Sequence, residues 1–387
     1  MKGWTEYKLK DISEGIYDGP HATPNKANSG AIFLGIKNLT EDGRIDLTDA
    51  FYISEIELKK WTKRVTPQFG DLVFSYEATL HRYALIPEGF HGCLGRRLAL
   101  IRPNLDKLNI KYLFYLFLSP FWRSFIEANQ VSGSTVDRIP LIKFPEYKIP
   151  LPSLAIQGRI VNILNMYDQL IDVNNQRIRI LEETAREVYK DWFVRMRFPG
   201  YKRAKFLKGI PEKWKIKKLG QVIELAYGKA LKEEDRNEGE YPVYGSSGIV
   251  GSHNSYIAKA PGIIVGRKGN VGSVFWATRD FYPIDTAFYV KSNISLYYIF
   301  FNLHHQNFIE GDSAVPGLNR NQAYSNYIIV PSKDALDNFD VIVKPIFDML
   351  QILREQNADL KQIRDRLLPR LISGKLGAGG NSSKSKS

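Results

Sequence analysis

LNMYDQLIDVNNQRIRILEETAREVYKDW, running from Leu164 to Trp192, is the stretch on which the fold turns. Leu164, Tyr167, Ile171, Ile178, Leu181, Ala185, Val188 and Trp192 recur in alternating steps of three and four, with Asn174 in the same register. That is the narrow seam of a coiled coil, not the broad stripe of a core helix. Asp172, Gln176, Arg177, Arg179, Glu182, Glu183, Arg186 and Glu187 fill the rest of the circumference and keep it in water. Such a helix needs a partner helix. A second one closes the chain, with Ile342, Ile346, Leu353, Asn357, Leu360, Ile363 and Leu367 in similar steps. Sliding the first helix forward by 182 positions lays Ile160 on Ile342, Leu164 on Ile346, Ile171 on Leu353, Asn175 on Asn357 and Leu181 on Ile363. Two amphipathic helices, each unstable alone, satisfy one another by pairing. With a globular block ahead of each, the simplest closed arrangement is antiparallel and pseudo-twofold.

The duplication extends to the blocks. Trp214-Lys215-Ile216-Lys217-Lys218-Leu219 echoes Trp4-Thr5-Glu6-Tyr7-Lys8-Leu9, and Gly262-Ile263-Ile264-Val265 echoes Gly70-Asp71-Leu72-Val73. Tyr298-Ile299-Phe300-Phe301 likewise echoes Tyr112-Leu113-Phe114-Tyr115. The offset drifts between matches, so the scaffold repeats while its loops diverge. Within the first block, Ala31–Ile36, Asp71–Tyr76 and Leu98–Ile101 have the composition of strands, and Ile110–Glu127 that of a buried helix. The reading is therefore α+β. Mixed α/β blocks at 1–152 and 212–331 alternate with helical regions at 153–196 and 332–374. A basic linker covers 197–211, and a flexible tail is expected over 375–387.

A chain of 387 residues with 44% apolar content can give two blocks a core each. The net charge of +13 favours a polyanionic partner. Cys93 is the single cysteine, so no disulfide framework exists and a reducing compartment fits. The opening residues lack the apolar run of a secretory signal, and Tyr112–Leu118 falls far short of a membrane span. The expectation is a cytoplasmic protein with no membrane partner.

Catalytic signatures are weak. Glu57-Leu58-Lys59 and Glu146-Tyr147-Lys148 are nuclease-like triplets of a kind that arise by chance in so charged a chain. Gly245–Ser252 outlines a phosphate loop without its lysine. The six histidines never join Cys93 in a four-ligand pattern, so no metal is implied. No Asn-Pro-Pro-aromatic tetrapeptide is present to flip and methylate a base.

The positive signal is polar and glycine-rich. In the second block, Tyr227, Lys229, Ser246, Ser247, His253, Arg267, Lys268, Asn270, Asn319, Arg320 and Asn321 are interleaved with glycines. Glycine admits backbone amides to a phosphate, while Arg and Asn offer bidentate bonds to base edges. The first block offers Tyr17, His21, Thr23, Tyr76, His81, Arg82, Ser134 and Arg138. At the coiled-coil interface the candidates are Leu164, Ile171, Asn174, Ile178, Leu181, Ile346, Leu353, Asn357, Leu360, Ile363 and Leu367. On the residues alone two readings stand: sequence-specific DNA binding, or a duplicated scaffold that assembles other proteins and uses its charge for solubility.

The whole pattern over residues 1–373 resembles the DNA specificity subunit of type I restriction-modification systems. Tyr227-Gly228-Lys229, Gly245–Gly251, Arg267–Gly272, Pro316–Arg320 and Leu367–Gly374 carry the likeness. The resemblance implies two target recognition domains on double-stranded DNA with a bipartite recognition sequence. It also implies two long helices that fix the unspecified spacer, and no catalysis in this chain. Two methyltransferase subunits and, in the full complex, two restriction subunits would be its partners. S-adenosylmethionine, ATP and Mg would serve those partners, with no cofactor here.

Overall fold

The computed structural model describes residues 4–132, 136–308 and 317–376. The chain divides into two compact units, Met1–Asp172 with Ala358–Ser387, and Val173–Asn357. Each unit thus holds one globular block and part of both long helices.

Unit one runs β1 (Thr5–Lys8), β2 (Ser13–Asp18), β3 (Ala31–Leu34), β4 (Phe51–Ile53), α1 (Glu55–Trp61), β5 (Leu72–Ser75), β6 (Tyr83–Leu85), β7 (Gly92–Leu94) and β8 (Leu98–Pro103). It continues through α2 (Ile110–Leu118), α3 (Pro120–Asn129), β9 (Val131–Ser132), β10 (Asp137–Arg138), β11 (Lys148–Leu151) and the start of α4 (Leu154–Tyr189). β5 and β8 are almost wholly buried, as continuous apolar runs require, and sit at the centre of an antiparallel sheet ordered β2-β8-β5-β6. A smaller sheet, β4-β3-β7, pairs β3 with β7 in parallel, and β1 pairs with β11. The buried helix expected over Ile110–Glu127 is two helices. Pro120 lacks the N–H to continue α2, and extended Ser119 instead caps α3 by accepting from Trp122 N. Trp122 then stacks on Phe117, ring centroids 4.1 Å apart, in a core shared with Phe74, Tyr112 and Phe144.

Unit two repeats this order. After α4, a π-helical turn (Lys190–Val194) leads through β12 (Phe206–Leu207) and β13 (Ile210–Pro211). β14 (Lys215–Lys218), β15 (Ile223–Tyr227), β16 (Tyr241–Gly245), β17 (Gly248–His253), β18 (Gly262–Gly266), β19 (Val274–Ala277), β20 (Tyr282–Pro283) and β21 (Ala287–Ser292) follow. α5 (Leu296–Leu303), α6 (Arg320–Ser325) and β22 (Tyr327–Val330) precede α7 (Lys333–Ile372). The sheets are β15-β21-β18-β19, β17-β16-β20 with β16 parallel to β20, and β14-β22. These three sheets repeat the order and pairing of β2-β8-β5-β6, β4-β3-β7 and β1-β11, while the short pairs β9-β10 and β12-β13 belong to one unit each. The duplication read from sequence is a repeated α+β fold, with the long α4 between its two copies.

The helices pair antiparallel. In unit one, Ile160, Val161 and Leu164 near the start of α4 share an apolar cluster with Leu368, Leu371 and Ile372 at the end of α7. In unit two, Ala185 and Tyr189 near the end of α4 cluster with Leu336, Phe339, Val343 and Phe347 near the start of α7. Leu164, Ile171, Asn174, Leu353 and Asn357 are buried, while Ile178, Leu181, Ile346, Leu360 and Leu367 are half-buried. Asn174 Nδ2 donates to Asn357 Oδ1 at 3.0 Å, and Asn357 Nδ2 donates to Asn175 Oδ1 at 2.9 Å. Ile342 departs from the expected seam, 42% exposed beside a buried Val343, and so does Ile363, 44% exposed beside a buried Arg364. At Ile363 the reason is polar: Arg364 Nη1 donates to Asp168 Oδ1 at 2.6 Å, and Tyr115 Oη donates to the other oxygen of that carboxylate at 2.5 Å. The guanidinium is satisfied there and takes the inward position that the apolar pattern assigns to its neighbour.

Candidate nucleic-acid interface

In unit two the site forms where β15 and β18 end beside the start of α6. Gly228 has to be glycine, because a Cβ there would lie 2.1 Å from Ile284 O. That close approach leaves the preceding Tyr227 ring on the surface, 49% exposed and backed by Phe288. Arg267, the first residue after β18, places its guanidinium 5.0 Å from the centre of the Tyr227 ring. Arg320, the first residue of α6, places its own 4.8 Å from the same ring. Arg267 is fixed further by donating Nη1 to Asp285 O at 2.9 Å. One aromatic ring therefore gathers two permanent cations whose remaining N–H groups are available to an anion or a base edge.

Neighbouring loops join this centre. Ser273 Oγ lies within hydrogen-bond reach of both Ser246 O and Asn270 O and donates its one proton between them, tying the turn after β16 to the turn after β18. Lys268 forms a bridge with Gly317, which brings the segment ahead of α6 alongside. Lys229, Ser247, Asn270 and Asn321 are exposed around it. Asn319 is already committed, since its side-chain oxygen caps α6 by accepting from Asn321 N and Gln322 N. His253 lies apart. It is 8% exposed, its Nδ1 accepts from Asn237 N at 3.1 Å, and its ring meets Tyr282 edge-on. That is a histidine satisfied within the fold.

Unit one holds a different cluster at the end of β2. Asp18 Oδ1 accepts from Arg64 Nη1 at 2.6 Å, and its Oδ2 lies 3.0 Å from His21 Nε2. His21 Nδ1 lies 3.4 Å from Tyr76 Oη, and Tyr76 itself is buried. Burial first, then the Asp18 and Glu77 charges, push the Tyr76 hydroxyl pKa up and keep it a neutral donor. Tyr17 is half-buried, and Thr23 and Arg138 are exposed. His81 takes a left-handed backbone, φ 62°, with Nδ1 3.2 Å from Tyr83 Oη; burial and then Arg123 lower its pKa and favour the neutral ring. Arg82 pairs with Glu41. Ser134 lies outside the described residues, as does the expected tail beyond Leu376. Sequence reading missed Asp18 and Arg64. Arg64 follows Lys63 in the turn after α1 with no glycine-rich setting to single it out, and its meaning appears only when the fold brings it to Asp18.

Among the described residues no group of three or more His, Cys, Asp or Glu could hold a metal ion, and no helix is long and apolar enough to cross a membrane.

A comparison with known families matches residues 1–183 and 211–367 to the model described as "Type I restriction modification DNA specificity domain". Among curated proteins, the chain is 25% identical to the MjaIX specificity subunit of Methanocaldococcus jannaschii, over 97% of this chain and 94% of that one. It is also 25% identical to the HindI specificity subunit of Haemophilus influenzae, over 50% of this chain and 41% of that one. Among solved structures, the S subunit of a type I restriction-modification system from M. genitalium aligns at a TM-score of 0.57 with 19% identity, covering 95% of this chain and 96% of that one. With two copies of the matched domain folded on one topology, this chain belongs to the type I restriction-modification DNA specificity family.

Proposed function

We propose that this chain recognises a bipartite, asymmetric duplex site, one half through each globular block, and that its paired helices set the spacer between the halves. The observation that carries the reading is one scaffold built twice with different side chains at matching loop positions. Repeating the scaffold repeats the mode of docking, while changing the loops changes the bases read. In unit two, Arg267 and Arg320 on Tyr227 supply donors suited to guanine acceptors and to phosphates. The helix α4 has 36 residues, a length of about 54 Å at 1.5 Å per residue.

The chain acts in the cytoplasm as a noncatalytic subunit. It holds two methyltransferase subunits and, in the full complex, two restriction subunits, and S-adenosylmethionine, ATP and Mg serve those partners. Apolar residues left outside the helix seam support this scaffolding role. In unit two, Val173 and Ile180 of α4 and Ile342, Met349 and Ile352 of α7 are all more than a third exposed, as are Met166 and Leu170 of α4 in unit one. Their spacing follows a helical face, the pattern that accepts another amphipathic helix. The test is an exchange of the block from Ile223 to Val330 for that of another family member, in a host carrying the complete system. Sequencing of methylated DNA then shows one half of the motif replaced and the other kept. Replacement of both halves, or of neither, contradicts the division of labour.

A further inference from the structure

The two blocks align residue by residue through their backbone hydrogen bonds. In unit two, Arg267 N donates to Thr286 O at 2.9 Å, Leu318 N donates to Arg267 O at 2.7 Å, and Lys268 bridges Gly317. In unit one, Tyr76 N donates to Arg97 O at 3.0 Å, Ile139 N donates to Tyr76 O at 2.7 Å, and Glu77 bridges Arg138. Arg267 and Tyr76 are therefore equivalent positions. At the neighbouring strand end, Gly228 N donates to Ala287 O and Ala287 N to Ile284 O, just as Gly19 N donates to Leu98 O and Leu98 N to Gly95 O. The glycines agree: a Cβ on Gly228 would lie 2.1 Å from Ile284 O, and one on Gly19 would lie 2.4 Å from Gly95 O. Tyr227, the residue before Gly228, is thus the counterpart of Asp18, the residue before Gly19.

These two residues perform one task with unlike chemistry. Tyr227 gathers Arg267 and Arg320 on its ring. Asp18 gathers Arg64 and His21 on its carboxylate. A carboxylate only accepts, so His21 Nε2 carries the proton and Nδ1 is left to accept from the Tyr76 hydroxyl. Both nitrogens of His21 are then occupied, and the ring braces Asp18. Arg64 directs one of its five N–H groups to Asp18 and remains 53% exposed, against 24% for the carboxylate that holds it. We infer that Arg64 is the DNA-contacting cation of the first block, the counterpart of Arg267 and Arg320, and that Asp18 is its positioning residue. The inference rests on the DNA-reading function proposed above and assigns residues to it.

The experiment measures affinity for the cognate duplex as a function of salt, using the chain assembled with its methyltransferase partners. Arg64→Ala weakens cognate binding about tenfold and lowers the slope of log affinity against log salt by about one. The melting temperature stays unchanged, because an exposed ion pair stabilises little. The loss disappears on a duplex scrambled in the half-site that the second-block exchange leaves intact. Asp18→Asn keeps the shape and the Arg64 charge, so it lowers the ratio of cognate to scrambled affinity while the salt slope holds. Wild-type affinity and slope in Arg64→Ala, with Arg267→Ala and Arg320→Ala both weakened, overturn the inference and leave the functional reading standing. Wild-type behaviour in all three overturns both.

Discussion

Tyr227 holds two guanidiniums on a single exposed ring, each worth about 0.5–1 kcal/mol at such a site. The ring makes both contacts through its face and owes nothing to its hydroxyl. Tyr227→Phe therefore keeps wild-type affinity for the cognate duplex, while Tyr227→Leu frees both arginines and weakens specific binding by about 1 kcal/mol. Fluorescence anisotropy on the assembled complex checks the pair, and equal losses in both variants count against the platform role. At this scale the sequence was legible only in part. Tyr227, Arg267 and Arg320 stand in glycine-rich segments that announce close backbone approach, and the fold brings them together. His253 stands in similar company and is buried, because a glycine-rich turn does not tell which of its polar side chains faces inward. Arg64 has no such setting, and Asp18 resembles its counterpart Tyr227 in no chemical respect.

Among the elements, the two long helices were the most legible, since a seam in steps of three and four admits few other structures. The offset that lays Asn175 on Asn357 is also seen in space, where Asn357 Nδ2 donates to Asn175 Oδ1. An amide trio of this kind, with Asn174 and Asn357 buried, fixes register, because a slipped pairing would leave amides without partners. The second seam was less legible. Asp168 and Tyr115 make burial of Arg364 favourable, and this turns Ile363 outward. The consequence is measurable. Leu353, 1% exposed, becomes an unpaired buried carboxylate in Leu353→Asp, at a cost of roughly 4 kcal/mol. Ile363→Asp, on the exposed face, changes stability by about 0.5 kcal/mol or less. Chemical denaturation followed by helical circular dichroism ranks the two, and equal losses would place Ile363 back in the seam.

At the scale of the whole chain, duplication is the governing fact, and matched fragments of the sequence carry it. What the fragments lacked was the exact pairing of loops, since insertions had shifted the offset between them; backbone hydrogen bonds restore it. On the function proposed above, each half of the recognised sequence is a property of its block and the gap between them a property of the helices. Adding one heptad to α4 and one at the matching position of α7 extends each helix by about 10 Å, roughly three base pairs of duplex. Sequencing of methylated sites in a host carrying the lengthened chain and its partners tests this directly. The account predicts a longer spacer between two unchanged half-sites; an unchanged spacer in an active complex, or altered bases in either half, would contradict it.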